Sequence, residues 1–162
     1  MSVSIRAMRA EDARRFLEIQ RESVRGLATR DYPTAVIEAW APLPIADEVV
    51  ERFLVNRDSE MRLIAEIDGH AVGIGAVVPG TSELRACYVL PGAARRGVGA
   101  AIVAEIERIA REHKLEYLRL ESSLTAEPFY AALDYRVEAR GELMIAPGVP
   151  MAAITMSKRL AK

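Results

Sequence analysis

The stretch E-L-R-A-C-Y-V-L-P-G-A-A-R-R-G-V-G-A-A, residues 83–101, decides how this chain is read. Its first eight residues, 83–90, form a strand pattern closed by Pro91-Gly92. Arg95-Arg96-Gly97-Val98-Gly99 then opens a helix pattern over residues 97–113, with Val98, Ile102, Ile106, Ile109 and Ala110 on one apolar stripe. The first N–H groups of a helix lack partners within it and, with the helix dipole, attract anions. Gly97 and Gly99 let a phosphate approach the backbone with no Cβ in the way, and Arg95 and Arg96 add positive charge. A phosphate-bearing cofactor is the ligand implied. From the glycines alone, a helix start without a ligand is an equal alternative.

Two familiar phosphate fingerprints do not fit. In G-x-G-x-x-G the third glycine would fall at Ile102, and the G-K-[ST] of a P-loop is absent. Gly73-Ile74-Gly75 lies inside a strand pattern and reads as a packing or bulge feature.

Working outward, residues 3–8 read as a strand. Residues 11–28 read as a helix with Phe16, Leu17, Gln20, Val24, Leu27 and Ala28 at helical spacing, and Glu11 and Asp12 suit its N-terminus. Asp31, Pro33, Pro42 and Pro44 punctuate the next stretch and leave room for a short helix over 34–40. Residues 46–55 form another helix pattern. Strands at 62–67 and 71–78 are joined by Asp68-Gly69, a hairpin signal, and Pro79-Gly80 leads into the strand at 83–90. These three make an antiparallel meander. A strand at 116–120 follows the helix at 97–113 and makes a parallel strand–helix–strand crossover. A short helix at 125–133 and a last pair of strands, from 135 to near 156, complete the order. Glu105–Arg108 and Glu107–Arg111 have the spacing of ion pairs on the outer face of the 97–113 helix. The expected fold is α/β (α+β): a mixed sheet of about seven strands flanked by about four helices, in one domain over residues 1–162.

Composition excludes several classes. The chain has 162 residues, 51% hydrophobic and 28% charged, which is the balance of a globular domain. Its 22 basic and 23 acidic side chains give a net charge of -1, which argues against bulk binding to nucleic acid or to an anionic membrane. Cys87 is the single cysteine, and His70 and His113 are far apart, so neither a disulfide framework nor a metal site is expected. There is no secretory signal at the start and no apolar run approaching ~20 residues, so a cytoplasmic protein is expected.

The segment following Val89-Leu90-Pro91 resembles motif A of the GNAT (GCN5-related N-acetyltransferase) superfamily, [QR]-x-x-G-x-[GA], at Ala94-Arg95-Arg96-Gly97-Val98-Gly99. Ala94 stands where the family usually carries Gln or Arg, leaving Arg95 or Arg96 for that role. Downstream, residues 126–135 (A-E-P-F-Y-A-A-L-D-Y) resemble the family's A-x-x-F-Y-x-x-x-G-[FY]. Asp134 replaces the usual Gly, a position where Asp tolerates a left-handed turn. Ser123 stands where many members have Asn. With the matching element order, the resemblance covers essentially the whole chain.

The resemblance implies an acetyl-CoA-dependent N-acetyltransferase acting on a primary amine of a small molecule, with acetyl-CoA as co-substrate. It implies that acetyl-CoA lies between the strands at 83–90 and 116–120. Backbone groups of Cys87, Tyr88 and Val89 would pair with the pantetheine arm, and Arg95, Arg96, Gly97, Val98, Gly99 and Ala100 would hold the pyrophosphate. Tyr130 matches the tyrosine that protonates the departing thiolate in many members, and Glu83 resembles the general-base position of one branch, with Glu121 as the weaker choice. Tyr32 and Trp40 are expected to line an acceptor wall for an apolar or aromatic amine. Arg25 and Arg30 are candidates for a substrate carboxylate. Cys87 reads as a small buried hydrophobe rather than a nucleophile. A protein or peptide N-acetyltransferase and a non-catalytic acyl-CoA sensor are the alternatives on the same fold. Relatives often pair through C-terminal strands, so a homodimer through a late strand such as residues 151–157 fits the resemblance.

Overall fold

Asp68 and Gly69 both adopt positive φ (51° and 78°), as a two-residue type I′ hairpin requires, and they join β2 (Met61–Ile67) to β3 (His70–Val78). In the computed structural model, which describes residues 2–160, this hairpin is the centre of a meander. β1 (Val3–Ala7) pairs antiparallel with β2, and β4 (Glu83–Val89) pairs antiparallel with β3. Among the described residues there are seven strands in one sheet, in the order β1-β2-β3-β4-β5-β7-β6, and five α-helices where about four were expected. Of the neighbouring pairs, only β4 and β5 (Tyr117–Ser122) run parallel, connected by α4 (Val98–Glu112).

The last pair of strands runs to Arg159, a few residues past the end expected near 156. β6 (Arg136–Ala146) and β7 (Val149–Arg159) form a hairpin whose turn contains Gly148 at φ 74°. β7 is hydrogen-bonded on both sides, to β5 and to β6. Residues 154–157 are therefore interior to the sheet, while residues 151–153 pair with β6 alone, so most of the late strand named for the pairing of copies is not at an edge. The outer edge on this side of the sheet belongs to β6, nine of whose eleven residues are exposed.

Helices cover both faces. α1 (Ala13–Leu27), α2 (Thr34–Trp40) and α3 (Asp47–Val55) lie on one, where Phe16 and Ile19 cluster with Ile64 and Ile74. On the other face α4 buries Val98, Ile102, Ile106, Ile109 and Ala110, the stripe its spacing defines. Complete burial of an isoleucine is worth about 1.5–3 kcal/mol, so this helix is a main anchor of the fold. It approaches β3 closely because Gly73 and Gly75 face it. A Cβ at Gly75 would stand 2.5 Å from Ile102 Cγ2, and one at Gly73 would stand 3.0 Å from both Ile102 and Val98.

One face assignment is overturned. Glu105 and Arg108 do pair on the outside of α4, but Glu107 is 7% exposed and points inward. Helical spacing alone put Glu107 with Arg111, and that contact exists at 3.7 Å. The closer partners come from outside the helix: the Tyr135 hydroxyl and the Lys158 ammonium. Among the described residues no helix is long and apolar enough to cross a membrane.

The contact between α4 and β3 predicts a contrast between two glycines. Gly75→Ala is expected to destabilise the protein by about 1–3 kcal/mol, because the β-branched Ile102 methyl has no room to retreat. Gly141→Ala, where a Cβ meets open space, is expected to be neutral within about 0.5 kcal/mol. Urea titration of both variants measures the difference.

Candidate active site

Parallel β4 and β5 share one register pair, Glu83 with Arg119, supported by the Arg119 N–H donating to Ser82 O at 2.9 Å. Beyond it the strands part. The edge of β4 facing β5 has no strand partner from residue 84 onward, so its N–H and C=O groups are free to pair with an inserted chain. The opening is a wedge of about 800 Å³ lined by Cys87, Tyr88 and Val89 on one side, and by Ser123, Ala126 and Phe129 on the other.

The N-terminus of α4 closes one end of this wedge. Arg95 (φ 65°) and Gly97 (φ 80°) are both left-handed, with Arg96 between them, a backbone alternation that turns successive N–H groups toward a common point. Gly97 is the N-cap and no side chain caps the helix, so its first-turn N–H groups face outward without a side-chain acceptor. Gly99 makes a different close approach: a Cβ there would stand 3.0 Å from the Phe129 ring. Arg95, Gly97, Val98, Gly99 and Ala100 all line the wedge. Arg96 turns away and lines a neighbouring groove with Arg21, Arg25 and Pro91. This cradle fits a phosphate-bearing group: free donors, a positive dipole end, one arginine and no obstructing side chain.

Tyr130 lies on α5 (Glu127–Ala132), 6% exposed, between the rings of Phe129 (centroids 5.1 Å apart) and Tyr135 (5.7 Å). Its hydroxyl makes no hydrogen bond to any described residue. Burial, with Cys87, Tyr88 and Tyr135 nearby, holds the phenol well above its ordinary range, so at neutral pH it keeps its proton. The segment around it is tightly turned, with Asp134 at φ 73° and the Tyr135 N–H donating to Tyr130 O at 3.0 Å. Ser123 Oγ accepts from the Ala126 N–H at 3.1 Å and so supports the start of α5.

The remaining candidates separate. Trp40 lines the wedge, edge-on to Tyr88 at 6.4 Å. Tyr32 stands one layer behind Trp40 (5.6 Å), 6% exposed, and its hydroxyl is fully used: it donates to Ala152 O at 2.6 Å and accepts from the Leu124 N–H at 2.8 Å. Glu83 stands at the narrow end, roughly 20 Å along the strand from Val89, where its carboxylate accepts from Arg85 at 2.7 Å. Arg85 is the extra residue of a bulge in β4 and also reaches Asp58 and Glu60. Glu121 accepts from Thr155 Oγ1 and is exposed. Arg25 is held by Glu38 and Ala41 O. Among the described residues lining the wedge there is no carboxylate and no histidine. The residues that spacing did not reveal are Val24, Leu27 and Ala28, which line it from the end of α1. In sequence they continue the apolar stripe of α1 and look like core.

A family model described as the acetyltransferase (GNAT) domain matches residues 28–160. The chain belongs to that family, and its class is N-acetyltransferase. Among solved structures it is similar to the GCN5-related N-acetyltransferase from Rhodopseudomonas palustris, with 27% identity over 99% of this chain and 97% of that one and a TM-score of 0.89. It shares its fold with the PaiA N-acetyltransferase from Thermoplasma acidophilum, solved in complex with coenzyme A (23% identity, 98% and 99% coverage, TM-score 0.77). It also shares it with yncA from Salmonella typhimurium, solved with acetyl-CoA (16% identity, 100% and 96% coverage, TM-score 0.72).

Cys87, whose thiol points toward Gly99 O at 3.7 Å, is pushed up from 9.0 to about 12 by burial. Its proton is thus kept by the folded state between about pH 9 and 12 while the unfolded chain gives it up. The stability this group contributes is complete below pH 9 and is lost as pH rises toward 12. Cys87→Ala is expected to reduce the fall in stability between pH 9 and 11, read by urea titration. The wild-type thiol is expected to react with iodoacetamide at pH 8 at least about ten times more slowly than free cysteine.

Proposed function

We propose that this protein transfers the acetyl group of acetyl-CoA directly to the primary amine of a small, apolar or aromatic molecule, as one domain spanning the chain. The observation that carries this reading is the wedge itself: an unpaired strand edge leads from a cradle that fits a phosphate, and Tyr130 is buried against Phe129 of the lining. The coenzyme A and acetyl-CoA carried by two proteins of this fold support the choice of co-substrate.

Each residue then has a role. The N–H groups of residues 97–100, with Arg95, hold the pyrophosphate, and Arg96 contributes long-range charge from the adjoining groove. The free edge of β4 at Cys87, Tyr88 and Val89 pairs with the pantetheine arm as an added strand. An N–H near Val89 stabilises negative charge developing on the thioester oxygen. As the amine nitrogen bonds to the carbonyl carbon and the C–S bond breaks, Tyr130 gives its phenolic proton to the departing sulfur. The proton lost by the amine goes to solvent, since the wedge lining holds no described base. Glu83 would receive it only through a chain of waters along β4. Trp40 and Tyr88 form the acceptor wall, with Tyr32 as the support behind it. The aromatic face of this wall is the feature that supports a small apolar or aromatic amine. The exposed edge of β6 is the surface through which we propose that two copies pair.

The test is thiol release from acetyl-CoA across aminoglycosides, polyamines, amino acids and arylamines. Turnover is expected with at least one amine, and Tyr130→Phe is expected to lower kcat about 100-fold. Calorimetry should show CoA binding that weakens with salt and changes by less than about threefold in that variant. Unchanged turnover in Tyr130→Phe removes the tyrosine from the mechanism, and no CoA binding at millimolar concentration overturns the whole reading. Glu83→Gln is expected to retain most activity.

A further inference from the structure

Glu107 is one of three buried polar or charged residues among those described, and nothing in the proposed chemistry uses it. It faces inward from α4, the same helix whose N-terminus forms the phosphate cradle. Its carboxylate accepts from the Tyr135 hydroxyl at 2.9 Å, and from Lys158 Nζ at 3.0 Å on each oxygen. Arg111 stands 3.7 Å away. Lys158 also lies 5.6 Å from the centre of the Tyr135 ring. Three separate elements, α4, β7 and the α5–β6 turn, meet at this one carboxylate.

The far side of Tyr135 touches Tyr130. Their rings meet edge to face at 5.7 Å and 68°, and the two residues are tied by a backbone hydrogen bond of 3.0 Å. Because the Tyr130 hydroxyl makes no hydrogen bond of its own to the described residues, ring contacts must set where that hydroxyl points. One neighbour, Phe129, lines the wedge beside Gly99, where an entering ligand meets it. The other, Tyr135, is 2% exposed and pinned to Glu107. The pinned ring is thus the fixed reference for the proton donor.

We propose that Glu107 is a positioning residue for acetyl transfer: through the Tyr135 hydroxyl it fixes the ring against which Tyr130 is held. The proposal rests on the reading of Tyr130 as proton donor given above. Proton transfer is steeply sensitive to distance, and a misplacement of about 1 Å can cost about 10²-fold in rate. Loss of a single tether behind an otherwise intact ring is expected to cost less, about tenfold.

Tyr135→Phe carries the test because it keeps the ring and leaves the Glu107–Lys158 pair intact. With the best amine of the panel above, it is expected to lower kcat five- to twentyfold. The KM for acetyl-CoA and the CoA affinity should stay within about twofold. Glu107→Gln, which still accepts from the hydroxyl, should remain within about threefold of wild type, and Glu107→Leu should match Tyr135→Phe. The decisive readout is the double variant. In a Tyr130→Phe background, Tyr135→Phe is expected to cost nothing further, because its effect acts through the missing hydroxyl. Losses that multiply in the double variant, or wild-type kcat in Tyr135→Phe, overturn the proposal. Should Glu107→Leu fail to fold, the Tyr135→Phe cycle decides alone. A Tyr130→Phe variant with wild-type activity, or a panel in which no amine turns over, instead overturns the reading beneath it.

Discussion

Parallel strands normally satisfy one another's peptide groups along their whole shared length. β4 and β5 do so at one register pair, Glu83 with Arg119, and then separate. Everything around the wedge follows from keeping them apart without collapse. On the β4 side the strand is held by β3, whose glycines let α4 sit close beneath. On the β5 side, β7 pairs along its length. Across the gap, the Tyr32 hydroxyl bonds to Leu124 N–H and Ala152 O, and Thr125 donates to Asp31. These ties connect the α1–α2 segment to the far strand, so the opening is a feature of the packed fold rather than a loose edge.

The same separation creates the chemical environment. The described residues of the wedge lining carry no carboxylate, and Cys87 on β4 and Tyr130 on α5 are both driven toward their neutral forms by desolvation. Neutrality suits a proton donor and disarms a thiol. Charge is kept at the margins: Arg95 at the cradle, Glu83 with Arg85 at the narrow end, and Glu107 with Lys158 behind the aromatic stack. A buried carboxylate persists only when its partners satisfy it, since removing one from such a pair costs about 3–5 kcal/mol. Glu107 has two hydrogen-bonded partners, Tyr135 and Lys158, and a second cation nearby in Arg111, and these contacts tie three elements together behind Tyr130.

Much of this was determined by the sequence alone. Apolar period separated strands from helices, Asp68-Gly69 closed the hairpin, and Gly97 marked the start of α4, because these depend on local backbone sterics and short-range spacing. The helix at Thr34–Trp40 was legible to the residue, since prolines bound it on both sides. What only the tertiary structure decided is which side each residue faces once distant elements meet. Glu107 has the spacing of a surface ion pair, yet β7 and the α5–β6 turn cover it. Tyr32 and Trp40 look alike in sequence, yet one is spent on hydrogen bonds and the other lines the wedge. Glu83 lies six residues from Val89 on the same strand, and only the place where β5 joins β4 puts it at the closed end. Residues 151–157 read as a late strand, and only the order β5-β7-β6 gives residues 154–157 a partner on both sides. Local sequence specifies conformation through near neighbours; exposure, partnership and ionisation depend on groups far away in the chain, and those become fixed only when the layers pack.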